Sequence, residues 1–302
     1  MNDLIEKPYF TNSAVSKAAS VDAILIGGGD LIRVESISPL YWNGAWTSKP
    51  IVVSGIGVAE ESKTVRADVI PRLQRFLGSN NILSLSARDE RSAAWINHYL
   101  KPAVPARTVP DLVFAKSEGS ERQDKSGRRL PKVGFVFNKT HLTDSDLNFW
   151  NHINAANAKG QIFATILVLA TGDQREKEVD NLQRNGLYEY AEEFEDTGKM
   201  IDRLRDMDLV VSAKFHALVV ASKYRIPYIS LRDTSKSIAL ARYSSSEAIP
   251  RELDDLLEPI IGTLSRSNSV QCMTTNHVRD LANAEISHVT GLMNAIDRLR
   301  LS

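Results

Sequence analysis

The stretch DLVVSAKFHALVVASKYRIPYISL, residues 208–231, sets Lys214 and His216 where a buried strand gives way to a helix. Both side chains can donate hydrogen bonds to an anion, and a helix N-terminus adds backbone N–H groups to them. Histidine also exchanges protons near neutral pH, so His216 is a candidate general acid. With Ser212 as the N-cap, His216 falls in the first helical turn. A lone histidine at such a place can equally be structural, and both readings stand. Lys236, in RDTSK, follows the next strand, and Asn138, Lys139 and His141, in NKTHLTDSD, follow the strand at 132–137. Ligands of open α/β sheets bind outside the carboxyl ends of the strands. Cations and donors after successive strands therefore point to a polyanionic small molecule.

The first half of the chain carries a second set. AILIGGGDLI, residues 23–32, runs a buried strand into Gly27, Gly28 and Gly29 and then Asp30. Glycines tolerate positive φ and let backbone approach a ligand closely. The pattern is neither GxGxxG nor a P-loop, so neither dinucleotide binding nor P-loop binding is supported. The expectation is a tight strand-to-helix turn in which Asp30 caps the helix or takes a proton from a substrate hydroxyl. SGIG, residues 54–57, ends the next strand and can line the same edge. Arg88, in SLSARDERSAAW, lies just past a strand, with Asp89 and Glu90 suited to a helix N-terminus. Its planar fork fits a carboxylate or a phosphate, although a surface arginine pairing with its neighbours would read the same. Asp111, in VPDLVF, lies in an apolar strand context where a carboxylate needs a partner. A salt bridge and a site role are equally open to it.

These residues need elements to hold them. Short apolar runs at 23–26, 51–59, 82–86 and 108–115 alternate with helical patterns at 64–78 and 89–100. Nearly continuous apolar strands imply parallel sheet covered by helices on both faces. KSEGSERQDKSGRRLP, residues 116–131, has no apolar residue before Leu130 and reads as a linker. Beyond it the pattern restarts with strands at 132–137, 162–170, 208–212 and 227–231, and helices at 145–160, 172–186 and 197–207. The tail, 252–300, is mostly helical in pattern. The sequence thus predicts an α/β protein of two Rossmann-like domains with a cleft between them: residues 1–116, a linker at 117–131, and residues 132–302 with a helical tail.

Bulk properties exclude several classes. Of 302 residues, 43% are hydrophobic and 25% charged, which suits a globular protein with its own core. Lys+Arg and Asp+Glu are both 37, so no overall field favours nucleic acid or an anionic membrane. The single cysteine, Cys272, builds neither a disulfide framework nor a CxxC zinc site, and the chain reads as intracellular. MNDLIEKPYF lacks the features of a signal peptide. The longest apolar run, IFATILVLA, is far short of the about 18 residues that span a bilayer. No grouping of residue types suggests a metal site.

GGGDLI (27–32), SARDERS (86–92), VPDLVF (109–114) and DLVVSAKFHALVVASKYRIPYISL (208–231), followed by Lys236, occur in that order. Together they resemble the polysaccharide pyruvyl transferase family over roughly residues 22–240. The resemblance implies a GT-B-like fold and a cytoplasmic transferase. Such an enzyme moves the enolpyruvyl group of phosphoenolpyruvate (PEP) onto a sugar as a pyruvate ketal, releasing phosphate, with PEP as co-substrate and no other cofactor. The acceptor implied is a sugar or lipid-linked glycan, through which peripheral contact with a membrane stays open.

By motif, Lys214-Phe215-His216 corresponds to the family's Arg-aliphatic-His, with Lys in place of Arg and Phe in place of the more usual Leu. The resemblance implies a proton-handling role for His216. It implies donor binding by Lys214, Lys236, Arg88 and Asn138, and a base in Asp30 or Asp111. Residues 1–21 show no Asn-x-Gly-Asp-type turn of the βα unit with which members usually begin, so the N-terminal domain is expected to lack that unit. Two other functions remain beside this one, a GT-B glycosyltransferase using a nucleotide sugar and an inactive glycan-binding member.

Overall fold

A computed structural model describes residues 13–59, 65–115, 130–137, 142–231, 240 and 276–301. The chain forms two compact units, Met1–Ser117 with His277–Ser302, and Glu118–Asn276. Most of the expected linker lies outside the described residues.

The first unit holds a parallel four-stranded sheet in the order β1-β2-β3-β4: Ile24–Gly27, Ile51–Ile56, Ile82–Ala87 and Arg107–Thr108. Every residue of β2 is buried, which is why its sequence shows no polar alternation. Ile51, Val53 and Ile56 join Leu73, Phe76 and Leu77 of helix α2, Val69–Leu77, in the main core cluster. The short helix α1, Ala14–Ala19, precedes β1 and is capped by Ser13, whose hydroxyl accepts from Ser16 N. Helix α3, Glu90–Trp95, follows β3 and is capped by Asp89, which accepts from Ser92 N at 2.7 Å.

The second unit holds a parallel five-stranded sheet in the order β7-β6-β5-β8-β9: β5 Lys132–Val136, β6 Phe163–Leu167, β7 Ala191–Glu192, β8 Leu209–Ser212 and β9 Tyr228–Ser230. Helix α4, Asp144–Ala158, opens with a reciprocal cap between Thr143 and Asp146. Helices α5, Asp173–Arg184, and α6, Thr197–Arg205, follow β6 and β7, and α7, Phe215–Lys223, joins β8 to β9. Phe135, Phe137, Phe149 and Trp150 form an aromatic core with ring centroids 5.3–6.3 Å apart.

Three expectations change. The run 108–115 is not a strand: β4 ends at Thr108, and Leu112–Ala115 is a 3-10 turn. Pro110 lacks the N–H that a ladder needs, and Asp111 Oδ1 instead accepts from Val113 N at 3.0 Å. No helix follows the three glycines. Ile32 N donates to Gly57 O and Ile32 bridges Val58, so the chain runs on extended along the sheet edge.

The last helix, α8 (Asn276–Leu301), does not belong to the C-terminal domain. It returns to the first unit. The reason is polar. Glu285, only 2% exposed, accepts from Ser54 Oγ at 2.8 Å, Ser86 Oγ at 2.6 Å and Arg107 Nη2 at 3.0 Å. A buried carboxylate is tolerated when it is bonded and paired in this way.

Burial would raise the Glu285 acid, but hydrogen bonds from Ser86 and Ser54 and the charge of Arg107 outweigh it and hold the carboxyl below its usual range. A folded value below the unfolded one gives stability that is complete above the ordinary glutamate range and is lost as pH falls through the folded value. The urea midpoint is therefore expected to drop in acid below about pH 4. Glu285→Gln is expected to be less stable at neutral pH and to show a flatter acid limb. An acid limb of unchanged steepness in the variant would remove Glu285 as its source.

Candidate functional site

In the first unit the carboxyl ends of β1, β2 and β3 bring Asp30 and Arg88 together. Gly28 and Gly29 take φ of 74° and 80°, conformations costly for other residues. They turn the chain so that Gly29 O accepts from Gly57 N at 2.8 Å. Asp30 then meets Arg88, whose Nη2 binds Asp30 Oδ1 directly. The arginine side chain is 5% exposed and the aspartate 20%. Arg88 is therefore not a surface residue pairing with its sequence neighbours. It is a buried guanidinium joined to a residue 58 positions away.

Burial lowers the Arg88 pKa, and the charges of Asp111 and Asp89 oppose that shift. Asp111 thus acts on Arg88 electrostatically while its own oxygen caps a turn. Gly57 is the close approach that makes the pair possible. A Cβ there would fall 2.5 Å from Asp30 Oδ1 and 2.8 Å from Arg88 Nε, so a side chain at this position would push the pair apart. Asp30 is not a helix cap, since no helix begins beside it. It is a carboxylate anchored in place by an arginine at the carboxyl ends of the strands.

In the second unit Lys214 and His216 stand at the carboxyl end of β8. The helix starts one residue before the histidine, with Lys214 rather than Ser212 as its N-cap. Ser212 serves the turn differently: its hydroxyl accepts from Lys214 N and donates to Lys214 O, both at 2.9 Å. His216 is in the first turn and exposed. Its ring lies 6.3 Å from that of Phe215.

Lys214 is not the bare cation that the sequence suggested. Its Nζ lies 2.5 Å from Glu178 Oε2 on α5, a carboxylate with a side chain 3% exposed. Residue type gave no warning of Glu178, which sits in a strongly charged helix. Its spacing did: it lies four residues before the buried Leu182 and shares that helix's inward face.

Lys236, Asn138, Lys139 and His141 lie outside the described residues. A cavity of about 490 Å³ past the carboxyl end of β7 is lined by five carboxylates, Glu193 and Asp202 among them, against the cations Lys199 and Arg203. A phosphate there would meet net negative charge. Among the described residues no three His, Cys, Asp or Glu side chains cluster closely enough to hold a metal ion. Among them, too, no helix is long and apolar enough to cross a membrane.

Comparison with solved structures finds the same fold in proteins of low sequence identity. S. aureus MnaA in its UDP co-structure is 10% identical, with 97% of this chain and 83% of that one covered and a TM-score of 0.61. The UDP-GlcNAc 2-epimerase of Neisseria meningitidis bound to UDP-GlcNAc is 11% identical, with 97% and 83% covered and a TM-score of 0.54. TarM, known from S. aureus, is 12% identical, with 94% and 57% covered and a TM-score of 0.54. At such identities the likeness establishes the α/β fold of the GT-B class and nothing about ligands. No curated protein sequence gives a significant match. The profile described as Polysaccharide pyruvyl transferase matches residues 2–234, more than three quarters of the chain. With the ordered motifs and the parallel α/β units that carry them, that match places the chain in the polysaccharide pyruvyl transferase family, a family of polysaccharide-modifying transferases.

Proposed function

We propose that this protein transfers the enolpyruvyl group of PEP to a sugar of a polysaccharide or glycan precursor, forming a pyruvate ketal and releasing phosphate. The observation that carries the reading is the place of His216 in a chain of this family. It is an exposed imidazole in the first turn of a helix that directly follows a central strand.

The chemistry needs a proton on the PEP methylene carbon, which makes C2 electrophilic. One sugar hydroxyl adds to C2, and a second displaces phosphate there to close the ketal. His216 supplies the proton. Lys214 and the first backbone N–H groups of α7 attract the carboxylate or phosphate. Asp30, anchored by Arg88, takes the proton of the first hydroxyl, with Asp111 as the second candidate, and the proton of the second hydroxyl leaves with the phosphate. Lys236 and Asn138 belong to the donor-binding set by motif. PEP is the co-substrate and no further cofactor is required. The reaction belongs in the cytoplasm, and a lipid-linked acceptor would bring the protein to a membrane surface.

A second reading, nucleotide-sugar chemistry, stands beside it, since two solved neighbours of the same fold are described with UDP or UDP-GlcNAc. Phosphate release from PEP in the presence of a panel of sugar acceptors tests the first. A folded protein that releases none with any acceptor overturns it. Thermal stabilisation by a nucleotide sugar and not by PEP would favour the second.

The Lys214–Glu178 pair gives a further expectation. Glu178→Gln removes the opposing carboxylate from the lysine. The variant is expected to lose stability, since one partner of a buried pair is gone, by about 3 kcal/mol. It is also expected to bind PEP more tightly than the wild type, because one anion that competes for Lys214 is removed. Isothermal titration with PEP checks this, and an equal or weaker affinity would separate Lys214 from donor binding.

A further inference from the structure

We infer that Glu285, on the last helix of the chain, is a positioning residue for the Arg88–Asp30 pair, acting through Ser86 and the backbone of Gly55. This rests on the reading of that pair as part of the transfer site.

Glu285 lies on a helix whose Leu281 and Ile286 face solvent, yet its carboxylate is buried among β2, β3 and β4. The Ser86 hydroxyl donates to Glu285 Oε1 at 2.6 Å and accepts from Gly55 N at 3.1 Å. A hydroxyl has one proton to give. Committing it to the carboxylate turns the oxygen's lone pairs toward Gly55 N–H. Gly55 has φ of 64° and sits where the register between β2 and β3 breaks, between Val53 and Ile56. A bulge of this kind re-aims the residues just beyond it.

Those residues hold the site. Ile56 O accepts from Arg88 N at 2.9 Å, and Gly57 N donates to Gly29 O at 2.8 Å. Gly57 itself lies against Asp30 and Arg88 so closely that a Cβ would overlap both. A relaxed bulge moves Gly57, and with it the wall against which the pair is held. The carboxylate therefore does more than dock its helix. It fixes which way Ser86 faces, and so fixes the turn that seats the pair.

Two substitutions in the full chain separate positioning from docking. Ser86→Ala leaves Glu285 with Ser54 and Arg107, so α8 stays docked while Gly55 N–H loses its acceptor. Glu285→Gln weakens both. The readouts are the Arg88 Nε–H resonance in NMR spectra, assigned by its absence in Arg88→Lys, and the kinetics of phosphate release from PEP. The expectation is that both variants stay folded and shift or broaden the Arg88 resonance. Their kcat is expected to fall on the order of tenfold to a hundredfold, with KM nearly unchanged, as for a displaced group. An unchanged Arg88 resonance in folded Ser86→Ala overturns the inference, whatever the turnover. If Glu285→Gln fails to fold, Ser86→Ala decides alone. A shifted resonance in a protein that never turns over PEP supports the positioning role and sinks the pyruvyl-transfer reading, so the two fail separately.

Discussion

Replacing His216 with alanine is expected to reduce pyruvyl transfer by two to four orders of magnitude, roughly the contribution of a positioned general acid. The melting temperature should stay close to that of the wild type. The imidazole is exposed, and it makes no hydrogen bond that holds α7 in place among the described residues. Surface substitutions of this kind usually change stability by about 0.5 kcal/mol or less. Phosphate release beside a thermal melt reads both effects. An unchanged rate would take His216 out of the mechanism. A rate restored by raising PEP concentration would make it a binding group and not an acid.

The second large effect concerns the buried ion pair, and it is asymmetric. Asp30→Ala leaves the Arg88 guanidinium in a site where its side chain is 5% exposed. Removing one partner of a buried ion pair costs about 3–5 kcal/mol. The lower end of that range is expected, because Asp111 and Asp89 still act on the arginine. Arg88→Met keeps the apolar stem and removes the cation from Asp30, which is 20% exposed and can hydrate. It is expected to cost about 1 kcal/mol, in line with ordinary substitutions. Urea unfolding of the two variants gives the comparison. Equal costs would mean that the guanidinium is not held in the dry environment described. Both variants are expected to lose transfer activity, so stability and activity should part company in Arg88→Met.

Much of the architecture was legible because parallel strands buried on both faces leave uninterrupted apolar runs. IVVSGI and DLVVS could hardly be read as anything else. Helices α4 and α5 end just before Gly160 and Gly186, as their sequences suggested. After Thr108 the run VPDLVFA is apolar enough for a strand, but Pro110 denies it the ladder. GGGD reads as the opening of a helix, but hydrogen bonds to Gly57, 25 and 28 residues away, hold the chain extended.

For the site, sequence could nominate Asp30, Arg88, Lys214 and His216 from residue type and position after strands. It could not show that Arg88 points at Asp30 or that Lys214 points at Glu178. Such pairings are tertiary facts, set by which elements lie side by side. Glu285 was hidden for the same reason. An acidic residue in an amphipathic tail looks solvated until the serines and the arginine that receive it are known.

The return of α8 to the first unit bears on the order of synthesis. Ser54, Ser86 and Arg107 leave the ribosome early, and the carboxylate that joins them comes from position 285 of 302. Domains generally fold as they emerge, N-terminal first. Here the N-terminal unit is discontinuous in sequence. Until the last helix is released, that nascent unit has hydroxyls on its inner strands and an arginine at its edge with no carboxylate between them. A chain cut short after the second unit would therefore be defective in the first.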